Sequence, residues 1–173
     1  MFKTTETASQ PRRFSAWGHE VGKQLATRGW TMSAAESCTG GTIASMMTSV
    51  AGSSAYFKGG VVSYFVSIKE SVLGVDVSDG VVSESTARQM AEGVARLMQS
   101  DCSVATTGVA GPGGGTPETP VGTVWIAAHC PTRTIAQCFH FDGDREKVIL
   151  QASDAALQLL HLLIEPETEK TCR

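Results

Sequence analysis

Short apolar runs alternate with segments of helical period along this chain, and glycine stands at most of the joints. That order constrains the fold more than any other feature. Trp17, Val21, Leu25 and Arg28 share helical spacing, and Gly29 stops it. Trp30 to Ala35 reads as a strand, and Gly40-Gly41 open a helix over Thr42 to Val50. Gly59 to Val66 reads as a second strand, followed by a short helix from Lys69 to Leu73 that Gly74 ends. Ser83 opens a helix whose Ala87, Met90, Ala91, Val94, Leu97 and Met98 form a core-facing stripe. Cys102 to Thr106 is a short buried strand. Val121 to His129 and Thr134 to Phe141 are strands joined by the turn Pro131-Thr132-Arg133. Asp144 caps a last helix through Ile164. Alternation early and a hairpin late predict an α/β fold. The expected form is a three-layer α/β/α domain with a mixed, mostly parallel sheet and one antiparallel strand.

Composition narrows the function classes. Lys plus Arg number 14 against 17 Asp plus Glu, a net charge of -3, which argues against a nucleic-acid binder with a basic face. Charged residues are 18% and apolar ones 42%, the reverse of a disordered chain. Residues 1–14 are polar, with Pro11 before Arg12 and Arg13, and are expected to form a flexible arm. Residues 166–173 are expected to be a frayed tail, and 15–165 a single domain. The longest apolar runs fall far short of the ~20 residues of a membrane span. The first residues carry no apolar segment of a secretory signal. Cys38, Cys102, Cys130, Cys138 and Cys172 are an odd set without a C-x-x-C motif, which fits a reduced, cytoplasmic protein. Cys138 and His140 share a strand face while His129 and Cys130 point oppositely, so the spacing suits core cysteines better than a zinc site. No metal and no cofactor are expected.

Three segments can carry chemistry. Ala35-Glu36-Ser37-Cys38-Thr39-Gly40-Gly41 lies at a strand-to-helix junction, at the sheet edge where α/β proteins place ligands. The following helix start offers free N–H groups for an anion or oxyanion. Ser37, Cys38 and Thr39 each bring a candidate nucleophile; by composition alone, a helix cap with glycines for a tight turn is the commoner meaning. Tyr64 and Lys69 follow in Val61 to Lys69. A lysine serves a serine as base when burial depresses its pKa, and a tyrosine hydroxyl relays a proton. Taken alone they read as a strand residue and a solvated helix residue. Third, Gly108, Gly111, Gly113, Gly114 and Gly115 crowd a long loop through Pro120. Such a loop lets N–H groups converge on phosphate or carboxylate, and a loop of this length is more often functional or disordered than incidental. Glu36, Cys38 and Lys69 are also the residue types of a nitrilase-like amidase triad. Arg145, in the first turn of the last helix, is disfavoured there by the helix dipole and can meet a phosphate bidentately.

Together these segments are specific. Ala35 to Gly41, Gly52-Ser53-Ser54-Ala55-Tyr56-Phe57 with Gly59-Gly60-Val61-Val62, Gly111 to Glu118 with Pro120 to Val124, and Gly143-Asp144-Arg145-Glu146 occur in order. The chain resembles the C-terminal domain of competence-damage-inducible CinA proteins and the stand-alone nicotinamide mononucleotide deamidases, over residues 15–164. The resemblance implies a homo-oligomer with an α/β/α fold. It implies hydrolysis of the carboxamide of nicotinamide mononucleotide to nicotinate mononucleotide and ammonia, in NAD salvage, without a metal. Carried over, Ser37 is the nucleophile, Lys69 its base and Tyr64 a hydroxyl helper. Thr39, Gly40 and Gly41 line the oxyanion side. Gly111, Gly113, Gly114, Gly115 and Thr116 hold the ribose phosphate with Arg145.

Two positions depart from the pattern. The family commonly reads Tyr-Ser-Asn-x-x-Lys where this chain has Tyr64-Phe65-Val66-Ser67-Ile68-Lys69. It commonly carries a second arginine where this chain has Ile149. Both changes remove hydrogen-bonding capacity near the expected site. A working amidase is therefore set beside an alternative, a catalytically weak or silent paralogue that binds a nucleotide or a partner.

Overall fold

A computed structural model describes residues 16–165; the arm and the tail expected at 1–14 and 166–173 lie outside the described residues. Helix α1 (Ala16–Arg28) leads to strand β1 (Met32–Glu36), helix α2 (Thr42–Thr48), strand β2 (Phe57–Val62) and helix α3 (Val66–Leu73). Helix α4 (Glu84–Met98), strands β3 (Cys102–Gly108), β4 (Thr123–Cys130) and β5 (Arg133–His140), and helix α5 (Arg145–Leu163) complete the order. The sheet has the order β2-β1-β3-β4-β5. β1 pairs in parallel with β2 and β3, and β4 runs antiparallel to both β3 and β5. Only β4 therefore opposes the common strand direction, as the alternation predicts.

Helices cover both faces. Val21 and Leu25 of α1, Ile43 and Met47 of α2, and Val148, Leu157 and Leu160 of α5 pack on one face against Met32, Ala34, Val104 and Ile126. Leu73 of α3 and Ala87, Met90, Ala91 and Val94 of α4 pack on the other against Ala35, Ala105 and Ala127. Alanine on the sheet lets α4 lie close. β1 is buried at every position, as a central strand with both faces covered must be. The caps fall where the sequence places them: the Ser83 hydroxyl accepts from Thr86 N–H and the Asp144 carboxylate from Lys147 N–H. Among the described residues no helix is long and apolar enough to cross a membrane.

Boundaries differ where side chains leave the sheet. β2 ends at Val62, not Val66, and α3 begins at Val66 rather than Lys69. Residues 63–65 form the connection that swings the chain from the sheet edge into α3. β4 starts at Thr123 rather than Val121, because Gly122 turns with a positive φ of 94°. Cys102 and Cys130 are core residues, but Cys138 is exposed because β5 is an edge strand.

Gly93 of α4 sits against the Leu73 carbonyl at the end of α3, closer than any side-chain carbon tolerates. Gly93→Ala must push α3 away from α4. We expect it to cost about 1–3 kcal/mol, read as a lower denaturant midpoint, whereas Gly113→Ala, whose added carbon meets open space, leaves the midpoint unchanged.

Candidate active site

β1 ends at Glu36, and the Ser37 N–H continues its pairing by donating to the Thr106 carbonyl at 3.0 Å. The chain then turns through Gly40 and Gly41, at φ 59° and 103°, a region side chains rarely adopt. The turn leaves the Ser37 side chain at the carboxyl edge of the sheet, on the α3 side, and 8% exposed.

α3 brings Lys69 to that hydroxyl. Lys69 and Leu73 stand one turn apart and are the buried residues of the helix. Ser63 N–H donates to the Glu36 carbonyl at 2.8 Å and ties the start of the connection to the end of β1. Lys69 Nζ donates to the Ser63 carbonyl at 2.5 Å and to Ser37 Oγ at 2.9 Å, and the residue has no exposed surface. Burial lowers its pKa below the ordinary lysine value of 10.5, against a small opposing pull from Cys38. A neutral amine here keeps an N–H for Ser63 and turns its lone pair to the Ser37 hydroxyl, which is the arrangement of a general base.

The same geometry pairs Lys69 with Ser37 and not with Cys38. Its thiol is buried and its pKa pushed up to about 11 by desolvation, only partly offset by the Thr106 hydroxyl and Lys69. A thiol so placed is protonated at neutral pH, and Lys69 bonds to the serine instead. The nitrilase-like set does not assemble either. Glu36 points to the α2 side, where Oε2 accepts from Gly41 and Ile43 N–H at 2.9 and 3.1 Å, and Oε1 from Ala44 N–H at 2.9 Å.

A cavity of about 200 Å³ opens beside the pair, lined among others by Cys38, Tyr64, Val81, Val82, Thr107 and Arg145. Tyr64 is 60% exposed, and its hydroxyl accepts from Arg145 Nη2 at 2.9 Å rather than joining Ser37 and Lys69. Arg145 Nη1 donates to the Gly111 carbonyl at 2.8 Å, so the arginine bridges Tyr64 and the glycine loop. Gly111, Gly113, Gly114, Gly115 and Thr116 do not line the cavity; of these, Gly111 meets the lining residue Arg145. Thr39 is buried, with its hydroxyl paired to Thr106 at 2.8 Å. The Gly40 and Gly41 amides are spent on the Ser37 carbonyl and on Glu36, whereas the Cys38 and Thr39 amides have no main-chain acceptor among the described residues. Neither Val66 nor Ile149 lines the cavity, and Ile149 packs against the larger core.

Sequence reasoning missed the roles of Ser63, Thr106, Thr107, Val81 and Val82. None carries a local signal, since each acts by where the fold brings it. A larger cleft of about 420 Å³ at the opposite end of the sheet, with Arg28, Trp30 and Arg133 in its wall, holds no paired nucleophile and base. The hydroxyl–amine pair, not volume, marks the site. Among the described residues no cluster of His, Cys, Asp or Glu can hold a metal ion.

Residues 15–164 match the family model of the CinA C-terminal domain. A CinA-like protein of Anaeromyxobacter dehalogenans is 48% identical over 145 residues, covering 82% of this chain and 36% of that protein. The chain thus spans little more than a third of the CinA-like proteins it matches. A nicotinamide-nucleotide amidohydrolase PncC of Enterobacter agglomerans is 45% identical over 144 residues, covering 80% of this chain and 88% of that protein. The crystal structure of the competence/damage inducible protein CihA from Agrobacterium tumefaciens superposes with a TM-score of 0.85 at 35% identity, over 91% of this chain and 99% of that one. The chain belongs to the CinA C-terminal domain family.

The lowered Lys69 pKa fixes two pH dependences. Activity that needs the neutral amine rises with pH and levels off above the Lys69 pKa. Between that lowered value and 10.5 the unfolded chain binds more protons than the folded one, so stability also rises with pH there. Lys69→Met removes that slope, and urea titrations at a series of pH values check it.

Proposed function

We propose that this chain is a serine amidase that hydrolyses the carboxamide of nicotinamide mononucleotide to nicotinate mononucleotide and ammonia. The observation that carries the reading is the Ser37 Oγ to Lys69 Nζ contact at 2.9 Å, with the amine fully buried. The amidohydrolase relative of matching length supports the substrate.

Ser37 Oγ attacks the carboxamide carbon while neutral Lys69 takes the hydroxyl proton. The Cys38 and Thr39 N–H groups are left to meet the oxygen that becomes negative. Lys69 then returns the proton to the departing nitrogen, and ammonia leaves an ester on Ser37. A water, deprotonated by Lys69, hydrolyses that ester to the carboxylate and frees the serine. The cavity receives the pyridine carboxamide. Arg145 exchanges its two neutral acceptors, Tyr64 and Gly111, for the phosphate. The Gly113, Gly114 and Gly115 amides, free of main-chain acceptors among the described residues, join it. Tyr64 holds Arg145 at the cavity mouth until the phosphate takes its place. Because Val66 and Ile149 stand outside the cavity wall, their departure from the family pattern leaves the nucleophile and base intact. The reading sets the enzyme in the cytoplasm, in keeping with free Cys38, Cys102, Cys130 and Cys138, and as a homo-oligomer.

Incubation with nicotinamide mononucleotide is expected to release equal amounts of ammonia and nicotinate mononucleotide. Ser37→Ala should abolish release and Cys38→Ala should keep most of it. Arg145→Ala should raise the KM for the mononucleotide at least tenfold and leave the weak turnover of the riboside unchanged. Loss of activity in Cys38→Ala with retention in Ser37→Ala contradicts the reading.

A further inference from the structure

Glu36 is 1% exposed, and both carboxylate oxygens are engaged by main-chain N–H groups. It makes no hydrogen bond to Ser37 or Lys69, so it is neither acid nor base in the proposed reaction. A buried carboxylate beside a nucleophile still calls for a physical reason, because burying a charge is costly unless it is paired and hydrogen-bonded.

The reason lies in the amides of the turn. Ser37 N–H goes to the Thr106 carbonyl, Gly40 N–H to the Ser37 carbonyl and Thr42 N–H to the Thr39 carbonyl. Glu36 takes Gly41, Ile43 and Ala44. From Ser37 to Ala44 every amide then has an acceptor in another residue except those of Cys38, whose N–H meets only its own Sγ, and Thr39. Gly41, the residue before α2, has no side chain to cap the helix. Without a carboxylate from elsewhere, the Gly41, Ile43 and Ala44 N–H groups would compete for any anion that reached the turn.

We propose that Glu36 is a positioning residue for the oxyanion site. By closing off the first amides of α2 it holds the Ser37–Gly41 turn in the shape that leaves only the Cys38 and Thr39 N–H groups to the reacting oxygen. The inference rests on the amidase reading.

Glu36→Gln tests it, because the amide nitrogen cannot accept and one set of N–H bonds is lost. The probe is the substrate analogue with a formyl group in place of the carboxamide, which adds Ser37 Oγ to its carbonyl carbon and passes the hydroxyl proton, through Lys69, to the new tetrahedral oxygen. Glu36→Gln is expected to lower kcat at least tenfold and to weaken the aldehyde by a similar factor, with KM for the amide changed less than threefold. A merely structural cap would lower the melting temperature without separating kcat and aldehyde affinity from KM. Should the variant fail to fold, the wild-type enzyme still decides. In amide NMR spectra, aldehyde addition is expected to move the Cys38 and Thr39 N–H resonances downfield and leave Gly41, Ile43 and Ala44 in place. Downfield movement of Gly41, Ile43 or Ala44 instead, or a Glu36→Gln enzyme with unchanged kcat and aldehyde affinity, overturns the role of Glu36 and leaves the amidase standing. A wild-type enzyme that neither hydrolyses the amide nor adds the aldehyde at Ser37 overturns both.

Discussion

A lysine amine with no exposed surface rests between the Ser37 hydroxyl and the Ser63 carbonyl, and much of the fold serves to keep it there. Desolvation favours the neutral amine, so the burial that costs stability is also what lowers the Lys69 pKa. The cost is met by neighbouring order. Ser63 is fixed to the end of β1, α3 follows it from the sheet edge, and Gly93 lets α4 close on the end of α3. Moving any of these parts loosens the contact between nitrogen and hydroxyl.

The two faces of the sheet divide the labour. On the α3 and α4 side the β1 edge presents the serine, the amine and the cavity. On the α2 side the neighbouring residue, Glu36, accepts from the Gly41, Ile43 and Ala44 amides. Adjacent positions of one strand point to opposite faces. One short segment thereby carries both the hydroxyl that Lys69 meets and the carboxylate that accepts the amides of its turn. Arg145 joins the two halves of the cavity mouth, held by Tyr64 on one side and Gly111 on the other.

The element order, the reversed β4 and both helix caps were legible in the sequence because period, glycine stops and capping residues are local signals. The burial of Lys69 was not. A helix begun at Lys69 leaves it solvated, whereas a helix begun at Val66 places it one turn before Leu73 and inward. The strand-to-helix connection at Ser63 to Phe65 decided this, and its pairing to Glu36 is long-range. Glu36 had a readable signal that the motif masked: a helix opened by glycine needs a cap from outside, and an acid stood just upstream. The glycine loop was legible as a functional segment, but its position outside the cavity wall depends on Arg145 and Val121, which a pattern of glycines does not contain. The family likeness named Tyr64, yet the sequence could not show that its hydroxyl faces Arg145 rather than Lys69.

The central claim is that Ser37, activated by Lys69, forms the covalent intermediate. Acid quenching during turnover of nicotinamide mononucleotide, followed by peptide mass spectrometry, reads it directly. The account predicts a nicotinate-mononucleotide ester on Ser37 in the peptide that also holds Cys38, lost in Lys69→Met. A thioester on Cys38 in the active enzyme contradicts it.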